Sequence, residues 1–380
     1  MILRRDRPAP PGPGGEVDPP VSPRTVTTVL AGAVLVLLVL ALLLVPLPYA
    51  VWRPGPTVDT LSEVDDVPLI EVAEATTYPT SGELRLTTIS TLGGPGYPVT
   101  AVDVLGAWLA DDELVRPVES VFPQDVSREE LDEQSTVQMT SSQTNATVAA
   151  LTELGHEVPA VLEVRDVVPE APAHGVVLPG DVLTSLRPAG GERTDLETFA
   201  DLSAVLDTIP PGTSVVLGLE REGQEVDVEV STMAPGPHTG GAETEGSVLG
   251  LLLRPDLDLP VDISIAIENI GGSSAGTMFA LGIIDVLTPG AMTGGERIAG
   301  TGTMSLDGRV GPISGVRQKL AGAARDGADW FLAPVSNCDE VSGHVPDGLQ
   351  VVAVRTLGEA RDAVDAIADG EGQGLPGCSS

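Results

Sequence analysis

The longest apolar stretch of the chain lies near its amino terminus. Val26 to Val45 runs twenty residues without a charged side chain. As a helix rising about 1.5 Å per residue it would cover roughly 30 Å, the thickness of a bilayer's hydrocarbon core. Tyr49 and Trp52 follow it, and amphipathic rings favour the membrane interface. The pattern predicts a transmembrane helix over residues 25–48.

A tail rich in Pro and Gly, residues 1–24, precedes this helix and carries Arg4, Arg5, Arg7 and Arg24. Positive charge favours the cytoplasmic side of a membrane, so we expect a cytoplasmic tail and an extracytoplasmic body. The alternative is a cleaved signal peptide, whose apolar region is usually about 7–15 residues long. No convincing small-x-small cleavage site follows, and we therefore interpret the segment as an uncleaved single-pass anchor.

Residues 53–155 are predicted to form a mixed α/β segment without recognisable chemistry. Polar and apolar side chains alternate over Glu83 to Ile89, which predicts a strand. Ser127 with Glu130 three residues later forms a capping box, and the helix that it begins is expected to end at Leu154, before a glycine. The strand can belong to this segment or to the sheet of the last domain, in which case the middle of the chain is an insertion.

Short strands around one helix are predicted for the middle of the chain, residues 156–233. The helix is expected near Leu196 to Leu206. The strands are expected at Ala160 to Val164, Asp181 to Leu186, Ser214 to Glu220 and Glu225 to Val230. A linker rich in Gly, Pro and Thr, 234–248, follows.

Two motifs of this module, the Pro-Ala-x-Gly step at 172–175 and the Gly-Asp step at 180–181, resemble those of PDZ domains linked to bacterial proteases. The resemblance implies a small β-barrel that captures extended peptide ends by adding a strand to an open sheet edge. The usual carboxylate-binding loop is replaced by Glu157-Val158-Pro159-Ala160, where the family has alternating glycines. A purely structural barrel is the alternative.

The final domain, 249–370, begins with a strictly alternating strand, Val261 to Ile267. A Gly-Gly-Ser-Ser-Ala-Gly turn at 271–276 and an apolar helix, Thr277 to Leu287, come next. This arrangement would present Ser274 at a helix amino terminus, where backbone N–H groups and the helix dipole favour a developing oxyanion. A structural glycine turn is the alternative, because such turns are common.

One lysine, Lys319, stands among twenty cationic residues. It lies on a helix predicted from a Ser314 cap to Asp326, behind a strand at Arg297 to Met304 and a hairpin with an Asp-Gly turn. The apolar stripe of this helix consists of Val316, Leu320, Ala323 and Ala324. The spacing of Lys319 from these residues places it at the edge of the buried face. Burial there would lower its pKa to about 7–8, at a cost of roughly 4 kcal/mol. The alternative is a surface lysine in an Arg-biased chain.

Composition excludes several classes of function. The net charge is −35, and no basic cluster exists beyond the first residues, which argues against a nucleic-acid partner. Leu320 follows the lysine, so no phosphate loop of the GxxxxGK[ST] type is present. Four His and two Cys without ligand spacing argue against metal, and no cofactor is expected.

The two cysteines, Cys338 and Cys378, both fall in the part expected outside the cytoplasm. In an oxidising compartment they would pair and tie down the carboxyl terminus, where the tail 371–380 lies. Two unpaired thiols are the alternative.

The final domain closely resembles the proteolytic domain of Lon-type proteases. The resemblance is carried by GSSAG at 272–276, AGTG at 299–302, DGRVGPISGVRQK at 307–319 and FLAP at 331–334. With the anchor and the PDZ-like module, the order is similar to that of membrane-anchored, ATP-independent Lon-like proteases of bacteria. The resemblance implies a Ser-Lys dyad, with Ser274 as nucleophile, Lys319 as general base and Thr301 orienting the lysine.

The sequence departs from the family pattern at two places. Ser273 replaces a frequent Pro and competes with Ser274 for the nucleophile role, although the helix start favours Ser274. Arg317 replaces a frequent first lysine, which leaves one candidate base. The histidines are predicted to lie in turns or the linker, so a Ser-His-Asp triad is not favoured: His156, His174, His238 and His344.

The sequence therefore predicts an α/β Lon-type domain preceded by a PDZ-like module and one transmembrane helix. The expected function is a membrane-anchored, ATP-independent serine endopeptidase acting on flexible protein or peptide substrates outside the cytoplasm. A non-catalytic membrane-anchored scaffold is the alternative. Homo-oligomer formation is left open.

Overall fold

The structure is a computed structural model that describes residues 23–64, 67–94, 97–123, 126–236, 246–267 and 270–378. The predicted amino-terminal tail, 1–24, lies outside these residues except for its last two positions. The centre of the predicted linker and His238 lie outside them as well.

The described residues contain eight α-helices and three short 3-10 turns. The turns lie at Val118–Ser120, Val335–Asn337 and Gly372–Gly374. The helices are α1 (Pro23–Leu44), α2 (Ala101–Leu109), α3 (Arg128–Glu153), α4 (Phe199–Thr208), α5 (Gly276–Leu287), α6 (Val316–Arg325), α7 (Cys338–Val341) and α8 (Leu357–Ala368).

Twenty strands are present in the same residues. They are β1 (Pro46–Leu47), β2 (Tyr49–Asp59), β3 (Glu63–Val64), β4 (Val67–Pro68), β5 (Ile70–Ala73), β6 (Glu83–Leu92), β7 (Val99–Thr100), β8 (Leu114–Pro117), β9 (Ala160–Val167), β10 (Val182–Pro188), β11 (Thr194–Asp195), β12 (Ser214–Arg221), β13 (Gln224–Ser231), β14 (Leu251–Leu257), β15 (Asp262–Ile265), β16 (Arg297–Gly300), β17 (Thr303–Met304), β18 (Val310–Gly311), β19 (Trp330–Pro334) and β20 (Gln350–Val354).

The largest sheet joins the two ends of the chain. Its order is β20-β19-β16-β6-β2-β8; the first four strands are parallel, and β2 pairs antiparallel with both β6 and β8. Ile298 of β16 is in register with Leu84 of β6 on one side and with Trp330 of β19 on the other. The segment 53–155 is therefore part of the same α/β body as the final domain, as the insertion interpretation of the strand at Glu83 predicted.

Helices cover both faces of this sheet, because alternate side chains of its buried strands point to opposite faces. Ile298 and Leu332 pack in one cluster with residues of α3, α5 and α8. Ala299 and Phe331 point to the other face, where they pack against Val316 and other apolar residues of α6. The mixed α/β class predicted from the sequence is confirmed.

The middle module has a separate core and an antiparallel sheet of order β13-β12-β10-β9-β14, with β11 paired to β10. The sequence placed residues 251–257 in the final domain, but they form β14 and pair with β9 over its whole length. The segment 157–160, where the carboxylate loop was expected, leads into the internal strand β9. In the described residues the two end strands of this sheet are β13 and β14.

Local signals placed most elements within a few residues. The capping box of α3 is present, with Ser127 Oγ accepting from the Glu130 amide at 3.2 Å. The middle helix α4 begins at Phe199 rather than near Leu196, because Thr198 caps it through Asp201. The predicted strand 297–304 is split after Gly300, where the Gly302 amide turns away to donate to the Ser274 carbonyl.

The chain termini are attached to this body in different ways. Cys338 and Cys378 form a disulfide, which confirms the predicted pairing. Helix α1 is long and apolar enough to cross a membrane, and none of its residues is buried against the protein.

Candidate active site

Three elements of the α/β body meet at the carboxyl end of the parallel strand β16. The turn before α5 brings Ser274, the residue directly after β16 is Thr301, and α6 brings Lys319 from the opposite face of the sheet. Sites in parallel sheets commonly form at this edge, because several strands end there together. The three residues predicted from the sequence are brought into contact.

The backbone at Ser274 is held on two sides. Its carbonyl oxygen accepts hydrogen bonds from the Thr301 hydroxyl at 3.0 Å and from the Gly302 amide at 2.9 Å. On the other side, Ser142 of α3 donates its hydroxyl to the Ser273 carbonyl at 3.1 Å. The two adjacent serines are therefore fixed differently, and it is the Ser274 side chain that contacts the lysine.

Lys319 is buried, with 2% of its surface exposed. Its Nζ lies 2.6 Å from Ser274 Oγ and 2.8 Å from Thr301 Oγ1. No carboxylate is hydrogen-bonded to this amine in the described residues. Burial without a counter-charge penalises the ammonium form and lowers the pKa of Lys319 from 10.5 to about 7. The lowering expected from the sequence is confirmed, and burial is more complete than the predicted edge position.

The start of α6 is held by a glycine and by an asparagine distant in sequence. Gly315 precedes the helix with a φ of +72°, a conformation that favours glycine. The predicted cap, Ser314, is therefore one residue too early. Asn337 is buried and pairs with the backbone of Ile313, accepting from its amide and donating to its carbonyl, both at 2.9 Å. These contacts fix the loop that leads into the lysine helix.

Sequence reasoning missed Ser142 and Asn337. Ser142 lies in the middle of a long helix, and Asn337 follows the FLAP segment without a local motif. Their side chains act on backbone groups 131 and 24 residues away, respectively. The burial of a polar residue is the signal that would identify them, and burial becomes visible only in the folded chain.

The three histidines that the structure describes take no part in this arrangement. His156, His174 and His344 are exposed, and the His344 ring is hydrogen-bonded to the Ser342 carbonyl. Arg317, two residues before the lysine on the same helix, is exposed as well.

The part of the chain that forms this site matches a known protein family. Residues 265–364 match the model of the Lon protease (S16) C-terminal proteolytic domain. The chain carries a Lon-type proteolytic domain. The matched range contains Ser274, Thr301 and Lys319, and it begins at the end of β15. This match supports a serine protease.

Relatives and solved structures resemble parts of the chain. Lon protease 2 of Bacillus subtilis is 32% identical over 127 residues, which cover 33% of this chain and 22% of that protein. The Lon protease of Rhizobium meliloti is 34% identical over 105 residues, covering 27% and 13%. An uncharacterized protein of Mycobacterium tuberculosis is 30% identical over 167 residues, covering 38% and 30%. The chain thus spans less than a third of the length of these curated relatives.

Among solved structures, the PDZ domain of an SdrC-like protein from Listeria innocua matches at 15% identity with a TM-score of 0.21, covering 24% of this chain and 92% of that one. The corresponding PDZ domain from Listeria monocytogenes matches at 15% identity and a TM-score of 0.20, covering 24% and 86%.

Proposed function

We propose that the chain is a membrane-anchored serine endopeptidase that uses Ser274 as nucleophile and Lys319 as general base. The observation that carries the proposal is the 2.6 Å separation of Lys319 Nζ from Ser274 Oγ, with the amine buried away from any carboxylate in the described residues. A lysine whose pKa is about 7 is substantially neutral near neutral pH and can accept a proton, which an ordinary surface lysine cannot.

The reaction follows from these positions. Ser274 Oγ attacks the carbonyl carbon of a peptide bond while its proton moves to Lys319 Nζ, and the carbonyl oxygen becomes an oxyanion at the amino-terminal end of α5. The intermediate expels the amine, which takes the proton back from Lys319. Water then attacks the acyl-enzyme and gives a proton to Lys319. The second intermediate releases the carboxylic acid, and the departing Ser274 oxygen takes that proton from the lysine, which restores the free serine and the neutral base.

Thr301 is proposed to orient the base. Its hydroxyl lies 2.8 Å from Lys319 Nζ and donates to the Ser274 carbonyl, so it links the two reacting residues. With the hydroxyl proton committed to that carbonyl, the oxygen of Thr301 is free to accept an N–H of the amine. This leaves the amine lone pair directed at the serine.

The substrates are proposed to be flexible proteins or peptides, cleaved without ATP, because the sequence lacks a phosphate-loop lysine. The PDZ-like module supports peptide binding through β14, one of the two end strands of its sheet, where an extended segment can add by backbone hydrogen bonds. The apolar helix α1 supports a membrane anchor, and the arginines that precede it support a cytoplasmic tail with the body outside.

Substitutions at the dyad test the catalytic proposal. Lys319→Arg keeps the charge but cannot accept the serine proton, so cleavage of an unstructured protein by the full chain in detergent, without nucleotide, should be lost. Ser274→Ala should be equally inactive, and the double variant no worse, because residues that act as one unit are not additive. Ser273→Ala is the matched control and should retain activity. Cleavage by Lys319→Arg at the parent rate would favour the non-catalytic scaffold.

Protease accessibility tests the orientation. A protease added to intact cells or spheroplasts should digest the body and spare a tag on the amino-terminal tail. Digestion of the tag with protection of the body would reverse the proposed topology without affecting the dyad.

A further inference from the structure

Helix α2 presents an outer face that consists only of apolar residues. Val102 and Leu105 are 47% and 48% exposed, Trp108 is 67% exposed and Leu109 is 88% exposed. Gly106 is the remaining exposed residue of the helix. A surface helix normally carries charged or polar side chains on its outer face, and a contiguous apolar patch of this kind marks an interaction site.

The inner face of α2 already accounts for its attachment to the body. Val104 and Ala107 are buried and pack in a small cluster with Val51 and Val99. Asp103 caps the helix by accepting from the Thr100 amide and hydroxyl at 2.9 and 2.7 Å. Because folding and capping use these residues, the outer stripe makes no contribution to the protein's own core.

The chain places this stripe directly beside the end of the candidate membrane helix. Strand β1, which begins two residues after α1, pairs antiparallel with β7, and β7 ends at Thr100, the residue that caps α2. Paired strands lie about 4.8 Å apart, so the start of α2 is within one strand spacing of the chain that leaves α1. Helix α1 also contacts both α2 and β7.

The surroundings extend the apolar surface at the same end of the body. An open groove next to β1 and β7 is lined by Leu47, Pro98, Val99, Val118, Phe122 and Pro123. Tyr97, which is 58% exposed, precedes β7 and lies beneath the Arg128 guanidinium. Asp111 and Asp112, both exposed, follow the last turn of α2. Aromatic rings flanked by charge are typical of the boundary between acyl chains and headgroups.

We propose that α2 is an interfacial helix that lies on the bilayer spanned by α1, with Trp108 and Leu109 inserted at the headgroup boundary. The inference rests on the proposed membrane anchor and adds a second contact, which would hold the body against the membrane surface. Amphipathic helices bind in this way by burying an apolar face to a shallow depth. The acidic pair after the helix remains at headgroup level and limits the depth.

Tryptophan fluorescence of the full chain in vesicles of phosphatidylcholine and phosphatidylglycerol tests the proposal. The difference between the parent and Trp108→Phe isolates the emission of Trp108 from that of Trp52 and Trp330. This emission should lose most of its intensity when the lipids carry bromine on the upper acyl chain. It should be protected from iodide in the water.

Val345→Trp in the Trp108→Phe background is the matched control. Val345 is 41% exposed and lies in the connection between β19 and β20, at the opposite edge of the sheet. That edge is about 24 Å from β8 across five strand spacings. The control emission should be quenched by iodide and unaffected by brominated lipid.

Two results would overturn the proposal. Quenching of Trp108 by iodide alone would show that the stripe faces water. Protection from both quenchers, with a dimer or larger assembly in the same vesicles, would show that a second copy of the chain covers it. The membrane anchor itself is tested separately, by extraction with alkaline carbonate, and release of the protein would refute it. Neither the quenching nor the extraction tests the roles of Ser274 and Lys319.

Discussion

The lysine pKa leads to a quantitative prediction for the pH dependence of cleavage. With the pKa of Lys319 lowered to about 7 by burial, about one molecule in eleven has a neutral lysine at pH 6 and about ten in eleven at pH 8. If the neutral amine is the base, kcat/KM should rise roughly tenfold between these values and then level off.

The same burial makes stability depend on pH. The unfolded chain holds the lysine proton up to a pKa near 10.5, whereas the folded chain releases it near 7. The free energy of unfolding should therefore rise with pH across this window, because the unfolded state binds more protons there. The difference of about 3.5 between the two pKa values corresponds to about 5 kcal/mol. The free energy of unfolding should be lower by this amount at pH 6 than at a pH above 10.5.

A neutral side chain of similar length separates this cost from other effects. Lys319→Met removes the charge and two hydrogen bonds, each of which contributes about 1 kcal/mol. The variant should be inactive, more stable than the parent at pH 6 by about 2–3 kcal/mol, and should show a flatter dependence of stability on pH between 7 and 10.

The assay is cleavage of an unstructured fluorescent protein by the full chain in detergent, in parallel with urea unfolding at each pH. Arg317→Lys is the matched control, since it places a second lysine on the exposed face of the same helix and should leave both profiles unchanged. Ser274→Ala corrects for contaminating proteases. A rate independent of pH between 6 and 8, with Lys319→Met no more stable than the parent, would refute the reasoning.

Three further predictions follow from contacts around the site and the termini. Asn337→Ala should lower the free energy of unfolding by about 1–3 kcal/mol, because it leaves the buried Ile313 amide and carbonyl unpaired. Ser336→Ala, at an exposed neighbouring position, is the control, and equal losses of the two variants in urea melts would contradict the argument. Reduction of the Cys338–Cys378 disulfide, which closes a loop of 40 residues, should cost up to about 4 kcal/mol, measured by urea unfolding with and without dithiothreitol; no change in midpoint would argue against it. Asp285 is buried, its Oδ2 has no hydrogen-bond partner among the described residues, and burial raises the pKa of its carboxyl. Asp285→Asn should therefore be more stable than the parent at pH 7.5, with the difference shrinking toward acid pH, and a constant difference would exclude this cause.

Local signals in the sequence predicted the parts of the site that local structure creates. The glycine turn before α5, the Asp-Gly hairpin and the lone lysine on an amphipathic helix each depend on neighbours within a few residues. The assembly of these parts was expected from the resemblance to Lon-type domains. The distance of 2.6 Å between Lys319 Nζ and Ser274 Oγ became visible only in the fold. Burial among apolar neighbours is enough to predict the direction in which the pKa of Lys319 moves, and the structure agrees with that direction.

Long-range pairing was the part that the sequence did not reveal. The residues of β14 carry no signal that assigns them to the sheet of β9 rather than to the next strand along the chain, because an alternating pattern fits either partner. Asn337 and Ser142 bond backbone groups, which every residue has, so their partners cannot be identified from side-chain types.

The strand order of the large sheet governs when the site can exist during synthesis. Strands β2 and β6 leave the ribosome early, but their neighbour β16 follows more than 200 residues after β6 begins, and α6, which packs against both early strands, comes later still. At about 5–20 residues per second, this delay is roughly 10–40 s. During that interval Ser274 and Lys319 have no common scaffold. A nascent chain therefore cannot bring Ser274 and Lys319 together before α6 has been made, and the order of strand pairing delays any cleaving activity that depends on them.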